Sequence, residues 1–435
     1  MLPRGMHDLV NLRHLDIRGC YSLPEMPKEM SKLKKLNFLN NYIIGEHEDN
    51  GIRELGTMDN LHGSFCISKL QNVKNCGEAS EAKMGNKKHV NTLNLEWNPI
   101  LGIDDAQSYR DILDKLQPHQ NLKELSIKRY PGETFPDWLG LSRYSKMTKL
   151  SLYFCKNCCE LPLLGQLPSL QHLKISKFDR LEKIDFEFYN RNNRSFQRET
   201  AFKSLETLEI EDMCGLKEWH FPDEFDGFPQ LRTLSIERCP VLSGNLPAHL
   251  PALEELTILE CDKLACSLPR APKLHQLHVQ GSTLYRVRPS AHDVVVFETP
   301  LAMSVLECLS YIQSPRIQGI DIKECHSTIT ISAEYLPASL QYLEIRYCSK
   351  LTFSEQIQHK SLTEIYIKLC ASLTSFPVQA LPSLRKLSIS CCLNLVSLPA
   401  LELAAPCLQE LYIEDCPNIE CFAEECLPPS LKKLE

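Results

Sequence analysis

Leucine, isoleucine and cysteine recur along this chain on a fixed ruler. In residues 383–399, Leu384, Leu387, Ile389, Cys392 and Leu395 are spaced +3, +2, +3 and +3. The same spacing fits Leu340, Leu343, Ile345, Cys348, Leu351 and Leu362, Ile365, Ile367, Cys370, Leu373. It fits Leu408, Leu411, Ile413, Cys416, Ile419 as well. One unit of about 22–24 residues is being restated, a period typical of repeat architectures. Within each unit apolar and polar residues alternate around the central Leu-x-Ile, which is the period of a short half-buried strand. Leu387 and Ile389 are predicted to point into a core, and Lys386, Ser388 and Ser390 to the opposite face. The remainder of each unit must travel back and deliver the next strand parallel to the last. No single unit can bury its own apolar face, so the units are expected to stack into a solenoid.

This ruler is that of leucine-rich repeats. The expected fold is therefore an α/β repeat: a leucine-rich-repeat solenoid shaped as an open, curved, right-handed horseshoe. Its parallel β-sheet would lie on the concave face and its convex side would be mostly irregular. The position after the strand takes a small group, for which cysteine serves as a compact hydrophobe with a weak S–H donor. Recurrent Leu-Pro pairs (Leu167-Pro168, Leu250-Pro251, Leu336-Pro337, Leu381-Pro382) fix φ and remove a donor where the chain turns inward.

Residues 1–435 read as one array. Its first unit is Leu12, Leu15, Ile17, Cys20, Leu23, and the chain stops in mid-strand after LPPSLKKLE, so it reads as a fragment open at both ends. Residues 41–120 are the least regular stretch of the first half. There Phe65, Ile67, Leu70, Val73 and Val90, Leu93, Leu95 form degenerate units. GEASEAKMGNKKH reads as a polar helix, and Asp105–Leu116 as an amphipathic one with Ile112, Leu113 and Leu116 on one side. Phe186–Thr200 is polar and reads as an exposed loop; its Asn193-Arg194-Ser195 sequon is read as meaningless. Residues 285–315 form an irregular insertion or decayed repeat. Val294–Phe297 is either a unit that lost the pattern, the favoured reading, or a strand on the convex side.

Composition narrows the function classes. The chain has 435 residues, 43% hydrophobic and 24% charged, with net charge -7. That balance argues against a general nucleic-acid binder. No apolar run reaches 18 residues, so no membrane span is expected, and the start lacks the apolar core of a signal peptide. Of the 20 cysteines, Cys20, Cys155, Cys239, Cys261, Cys325, Cys348, Cys370, Cys392 and Cys416 share one repeat position. They are expected to be buried, reduced thiols. Cys155-x-x-Cys158-Cys159 looks like half a zinc site, but Cys155 belongs to the repeat and no second ligand pair lies nearby, so no metal is expected. Phosphate-cradling and nucleophile motifs are absent, and histidines fall mostly at exposed variable positions. A binding surface with no active site and no cofactor is the expectation.

Several phrases are more specific than the ruler: LPRGMHDLVNLRHLDIRGC, GSFCISKLQNV, KHVNTLNLEW, LQPHQNLKELSIKRYPGETFPDWLG and CCELPLLGQLPSLQHLKI. In these the chain resembles the repeat region of plant coiled-coil nucleotide-binding leucine-rich-repeat disease-resistance proteins. The resemblance implies an intracellular, mainly cytoplasmic immune receptor. Its repeats would recognise a pathogen effector or modified host protein and restrain an upstream switch that holds ADP or ATP. Nucleotide chemistry belongs to that upstream module and is not carried over to this chain. In the same family an MHD tripeptide senses nucleotide, but Met6-His7-Asp8 here runs straight into the repeat positions Leu9 and Leu12 and reads as coincidence.

The first forty residues are rich in Arg and Lys, whereas 402–425 holds seven acids and no base. The resemblance implies that Arg13, Arg18, Lys32, Lys34 and Lys35 contact an acidic face of the switch module. A solvated face at each end is the alternative. For ligand recognition, the positions that packing leaves free are Tyr342, Glu344, Arg346, Glu364, Tyr366, Lys368, Lys386, Ser388, Ser390, Glu410, Tyr412 and Glu414. Tyr342, Tyr366 and Tyr412 are expected to form an aromatic stripe of the kind that supplies binding hot spots. Alternatively, tyrosine simply suits a strand surface. A competing reading of the whole chain is the substrate receptor of an F-box ubiquitin ligase, which needs an F-box ahead of Met1. A secreted receptor ectodomain would need a signal peptide, capping disulfides and Gly-x-Ile-Pro turns.

Overall fold

The computed structural model describes residues 2–20, 22–99, 106–189, 201–221, 228–244, 246–261, 263–264, 269, 271–280, 294–298, 317–323, 329–332, 336–353, 357–376, 378–419 and 427–435. The chain divides into two compact units, Met1–Leu231 and Arg232–Glu435. In the first, parallel strands Asn41–Ile43, His62–Ser68, His89–Glu96, Glu124–Lys128, Lys149–Tyr153, His172–Ser176 and Thr207–Glu211 each bond to the next. In the second, the run is Thr233–Glu237, Glu255–Leu259, Gln276–Gln280, Val294–Glu298, Gly319–Lys323 and Tyr342–Arg346. It continues through Glu364–Lys368, Lys386–Ser390, Glu410–Glu414 and Lys433–Leu434. This is the leucine-rich-repeat solenoid architecture.

Register explains why the alternation matters. Leu343, Ile365, Leu387 and Leu411 lie opposite one another on successive strands, as do Ile345, Ile367, Ile389 and Ile413. A one-residue slip would put every one of them in water. Leu387 and Ile389 are fully buried, while Lys386, Ser388 and Ser390 are half-buried on the open face. The Leu-Pro leucines Leu167, Leu250, Leu336 and Leu381 are buried too.

A left-handed turn repeats after the strands, at positions that hold no glycine. Lys69, Arg129, Phe154, Lys177 and Asp212 in the first unit adopt φ of 54–62°. Arg238, Glu260, Tyr347, Leu369, Cys391 and Asp415 in the second do the same at 51–57°. Such a conformation costs about 1–2 kcal/mol for a residue with a Cβ. The sheet offsets it. The Tyr347 N–H donates to Lys368 O at 2.9 Å, Leu369 to Ser390 O at 3.0 Å and Cys391 to Glu414 O at 2.9 Å. The ladder therefore gains a rung before the chain drops the following side chain into the core.

That following side chain is where the cysteines sit. Cys155, Cys239, Cys261, Cys348, Cys370 and Cys392 are buried and free. The Cys261 thiol donates to Leu259 O at 3.2 Å, Cys348 to Arg346 O at 3.3 Å and Cys370 to Lys368 O at 3.4 Å. Contact with the Cys348 thiol, together with burial, pushes the Cys370 thiol well above its usual range. Burial pushes Cys392 up to about 12. Two members of the series differ from expectation: Cys20 is exposed and Cys416 only half-buried. Cys325 lies outside the described residues. Cys155 and Cys158 are buried and Cys159 exposed, and no metal-competent cluster of three side chains occurs among the described residues.

The stretch 41–120 is more regular than its sequence suggests. Its strands His62–Ser68 and His89–Glu96 are longer than the five-residue strands that follow. Apart from a register shift between Gly63 and Ser64, its irregularity lies in the return path. There helix Cys76–Glu81, capped by the Asn75 side chain on Glu78 N–H, faces helix Ala106–Lys115. Ile112, Leu113 and Leu116 are buried as the amphipathic pattern required. Lys87 is buried and donates to Leu55 O at 2.7 Å, capping the short helix Ile52–Thr57; burial lowers its pKa to about 8. Gly140 permits a close approach of neighbouring return paths, since a Cβ there would lie 2.2 Å from Leu163 O.

One further expectation is revised, and one alternative is decided. Phe186–Phe188 is a short helix rather than loop, and Phe188 and Tyr189 are buried against Phe202. The sequence looks polar there because these rings precede the Asn/Arg-rich 190–200, which lies outside the described residues along with the sequon. Val294–Glu298 is a strand of the main sheet, paired with both Gln276–Gln280 and Gly319–Lys323. It therefore lies within the sheet and not on the convex side. The rest of 285–315 lies outside the described residues.

Candidate functional site

The face of the sheet that packing leaves open carries the variable side chains, and in the second unit it has a built shape. Counting along each strand, the first, third and fifth residues point outward. The first-position row reads Tyr342, Glu364, Lys386, Glu410 and Lys433. The third reads Glu344, Tyr366, Ser388, Tyr412 and Glu435, and the fifth Arg346, Lys368, Ser390 and Glu414. All twelve predicted recognition residues therefore share one face. None is buried, and Lys368 and Glu414 are exposed.

The three tyrosines do not form one continuous stripe across adjacent strands. Tyr342 sits in the first row and Tyr366 and Tyr412 in the third, because the pattern Y-x-E-x-R in one strand is E-x-Y-x-K in the next. Tyr342 and Tyr366 meet diagonally, with ring centroids 5.5 Å apart. Tyr412 is separated from Tyr366 by the strand Lys386–Ser390. The Lys386 ammonium bridges that gap, 5.4 Å from the Tyr366 ring and 5.1 Å from the Tyr412 ring. Lys433 lies 4.8 Å from the Tyr412 ring. Rings and cations alternate, a stabilising arrangement for both.

Carboxylates fix the rings. Tyr366 Oη donates to Glu364 Oε2 at 2.8 Å and Tyr412 Oη to Glu410 Oε2 at 3.0 Å. Tyr342 Oη donates to Glu344. Burial and the nearby carboxylate raise the Tyr342 and Tyr366 hydroxyls, so both stay protonated. The Tyr366 hydroxyl holds Lys386 above the usual lysine range, and Lys386 also pairs with Glu410 at 3.5 Å. Arg346 pairs with Glu344 at 2.8 Å and with the buried Asp321 at 3.1 Å.

Between the tyrosines lies a depression of about 470 Å³. Glu344, Tyr366, Lys368, Ser388, Ser390, Tyr412, Glu414 and Glu435 line it, with Ile367 and Ile413. Tyr342, Arg346, Glu364, Lys386 and Glu410 stand outside it and hold its walls. Glu435 was not singled out from sequence; the outward register of Lys433–Leu434 is the signal that finds it.

The basic residues predicted near the start are in the first unit and are unevenly engaged. Arg18 pairs with Asp16, which falls to about 2 through that contact. Lys32 pairs with Glu29 at 2.7 Å, and Lys35 donates to Asn11 Oδ1 at 2.7 Å. Arg13 and Lys34 are exposed and form no ion pair among the described residues. The Met6-His7-Asp8 segment is a short helical turn with Met6 buried and His7 near Asp8 and Glu29.

Comparison with known proteins adds to this geometry. A family model described as R13L1/DRL21 LRRs matches residues 52–178. A second, described as Plant disease resistance protein RPS2-like, leucine-rich repeats, matches residues 119–262. The chain is 31% identical over 324 residues to Putative disease resistance RPP13-like protein 1 of Arabidopsis thaliana, covering 71% of this chain and 29% of that protein. It is 38% identical over 242 residues to Putative disease resistance protein At3g14460 of the same plant, covering 54% and 17%. With Disease resistance protein RGA2 of Solanum bulbocastanum it shares 30% over 239 residues, covering 54% and 24%. The chain thus spans less than a third of the length of these relatives. A solved leucine-rich-repeat protein of Leptospira interrogans aligns over 96% of this chain and 93% of its own at 19% identity, with a TM-score of 0.46.

Proposed function

This chain carries leucine-rich repeats of the plant disease-resistance kind, and we propose that it is the recognition and restraint module of a plant immune receptor. In this reading the open face of the second unit binds a protein ligand, either a pathogen effector or a host protein that an effector has modified. The repeats also hold an upstream nucleotide-binding module in its resting state. The chain would act by binding and not by catalysis, in the cytoplasm. No helix among the described residues is long and apolar enough to cross a membrane.

The observation that carries this proposal is the tyrosine-walled depression on a face that packing does not consume. Exposed Tyr and Arg anchors are the side chains that dominate binding energy at interfaces. Restraint follows from a population shift. Moving a switch from mostly off to mostly on requires the ligand to prefer the released state by about 5.5 kcal/mol. A few anchors supply energy of that order. The exposed Arg13 and Lys34 support the restraint half of the proposal, as charges available to an acidic neighbour.

The test is a full-length receptor bearing Tyr342→Ala, Tyr366→Ala and Tyr412→Ala together. Loss of the ligand-triggered defence response with a nearly unchanged Tm is expected. An intact response would overturn the proposal, and a large drop in Tm would assign the rings to stability.

A further inference from the structure

The rim of the open face carries a signal that the depression does not. Each strand ends in the left-handed residue that leaves the sheet, and in successive repeats these residues stand side by side. In the first unit the row includes Lys69, Arg129, Phe154, Lys177 and Asp212. The Phe154 ring is covered there by its neighbours, with the Arg129 guanidinium 5.4 Å and the Lys177 ammonium 4.5 Å from its centroid. Lys177 in turn pairs with Asp212 at 3.8 Å.

In the second unit the row reads Arg238, Glu260, Tyr347, Leu369, Cys391 and Asp415 among the described residues. Tyr347 is 49% exposed and Leu369 39%, and Leu393, two residues past Cys391, is 54% exposed. Folding does not account for apolar side chains at these places. The left-handed conformation favours glycine, asparagine or aspartate, and a leucine left in water forgoes the gain of burial. A group of exposed apolar side chains marks a surface that another molecule covers.

Position says which molecule. Among the described residues, the apolar part of the row falls in the repeats that build the depression. Lys368, Ser390 and Glu414, which line it, are the chain neighbours of Leu369, Cys391 and Asp415. The rim is therefore continuous with the open face. Charge does not choose an occupant here, since the exposed Lys368 and Glu414 are opposite in sign. Apolar area does. We propose that the protein ligand of the open face also folds over its C-terminal rim and seats an apolar segment on Tyr347, Leu369 and Leu393. That segment is the anchor by which the ligand is selected, in the way that a few apolar side chains dominate the energy of an interface. This assignment rests on the reading that the open face binds a protein.

The experiment uses the full-length receptor, with pathogen inoculum in a dilution series as the probe and the dose for a half-maximal defence response as the readout. Tyr347→Ser, Leu369→Ser and Leu393→Ser together are expected to raise that dose at least tenfold with a nearly unchanged Tm. The apolar replacements Tyr347→Phe and Leu369→Met together should hold it within twofold, which a purely structural or polar role would not predict. Arg129→Ser, at the same repeat position in the first unit, should leave the dose unchanged. A parental dose for the triple serine variant, or a large fall in its Tm, overturns the proposal. If the dose stays parental while the triple tyrosine variant still abolishes the response, only the rim assignment falls. If the response survives the triple tyrosine variant, the reading of the whole face falls, and the rim with it.

Discussion

The two units share a backbone and differ in what fills it. In both, the strand ends in a left-handed residue and then drops a side chain into the core. In Arg232–Glu435 that side chain is a thiol at Cys239, Cys261, Cys348, Cys370 and Cys392. In Met1–Leu231 the same site holds Leu70, Tyr130, Phe178 and Met213, with Cys155 the small member. The return paths follow suit. The first unit packs helices and an aromatic chain, with Tyr130 5.3 Å from Trp97 and 5.1 Å from Phe135. The second returns largely through short paired strands such as Ile329–Ile331 with Leu351–Phe353, which the first uses as well at Lys183–Ile184 with Glu218–Trp219. The strand ruler alone therefore does not set how much material lies behind the sheet, and filler size is the variable to exchange.

Their open faces differ as well. In the first unit Lys128 pairs with Glu96 at 3.6 Å, and Lys174 with both Glu209 and Glu211 at 2.6 Å. Ser126 and Ser151 lie side by side, and Ser176 sits between Tyr153 and Glu211 rather than between two tyrosines. In the second unit a low serine strand runs between two tyrosines. The same backbone thus gives a largely self-neutralised surface in one place and a trough in another.

Exchanging the fillers breaks the comparison most strongly. Tyr130→Cys should cost about 3–5 kcal/mol, since it empties a fully packed site and strands the Thr134 carbonyl that its hydroxyl serves. Urea unfolding of the whole chain reads this out. The reverse exchange, Cys370→Phe, should destabilise by about 1–3 kcal/mol despite adding apolar area, because the thin return path cannot make room. A gain in stability there would show that filler size does not control the return path. The smallest effect is expected at the turn. Leu369→Gly should change stability by no more than about 0.5 kcal/mol, as relief of the positive φ offsets the added freedom of the unfolded chain. A loss of several times that amount would mean that the partly exposed Leu369 side chain is held by contacts and the turn is unstrained.

Much of this was legible in the residues. The alternation around Leu387 and Ile389 specified strand, face and register, because period two has only one way to bury an apolar row. The thiols were readable as fillers because they recur at one spacing. The turn was not readable: Arg129, Tyr347 and Leu369 have no left-handed preference, and the conformation is imposed by the ladder bond each makes. Phe188 and Tyr189 were misjudged because a window that averages over their polar followers hides two core rings. The twelve candidate positions were placed on one face, while the stripe expected across adjacent strands is interrupted by the strand Lys386–Ser390. Spacing within a strand says which side a tyrosine takes, while only the pairing register says which row it joins. That register placed Tyr342 off the line and exposed the serine floor, which is the site's defining feature.

Photo-crosslinking tests the location of recognition most directly. A benzoylphenylalanine is placed at Tyr412 in the full-length receptor and, separately, at Tyr153 on the open face of the first unit, and each is irradiated during a defence response. A crosslinked partner from position 412 and none from 153 is the predicted result. A partner captured from 153 alone would contradict the account and move recognition to the other unit.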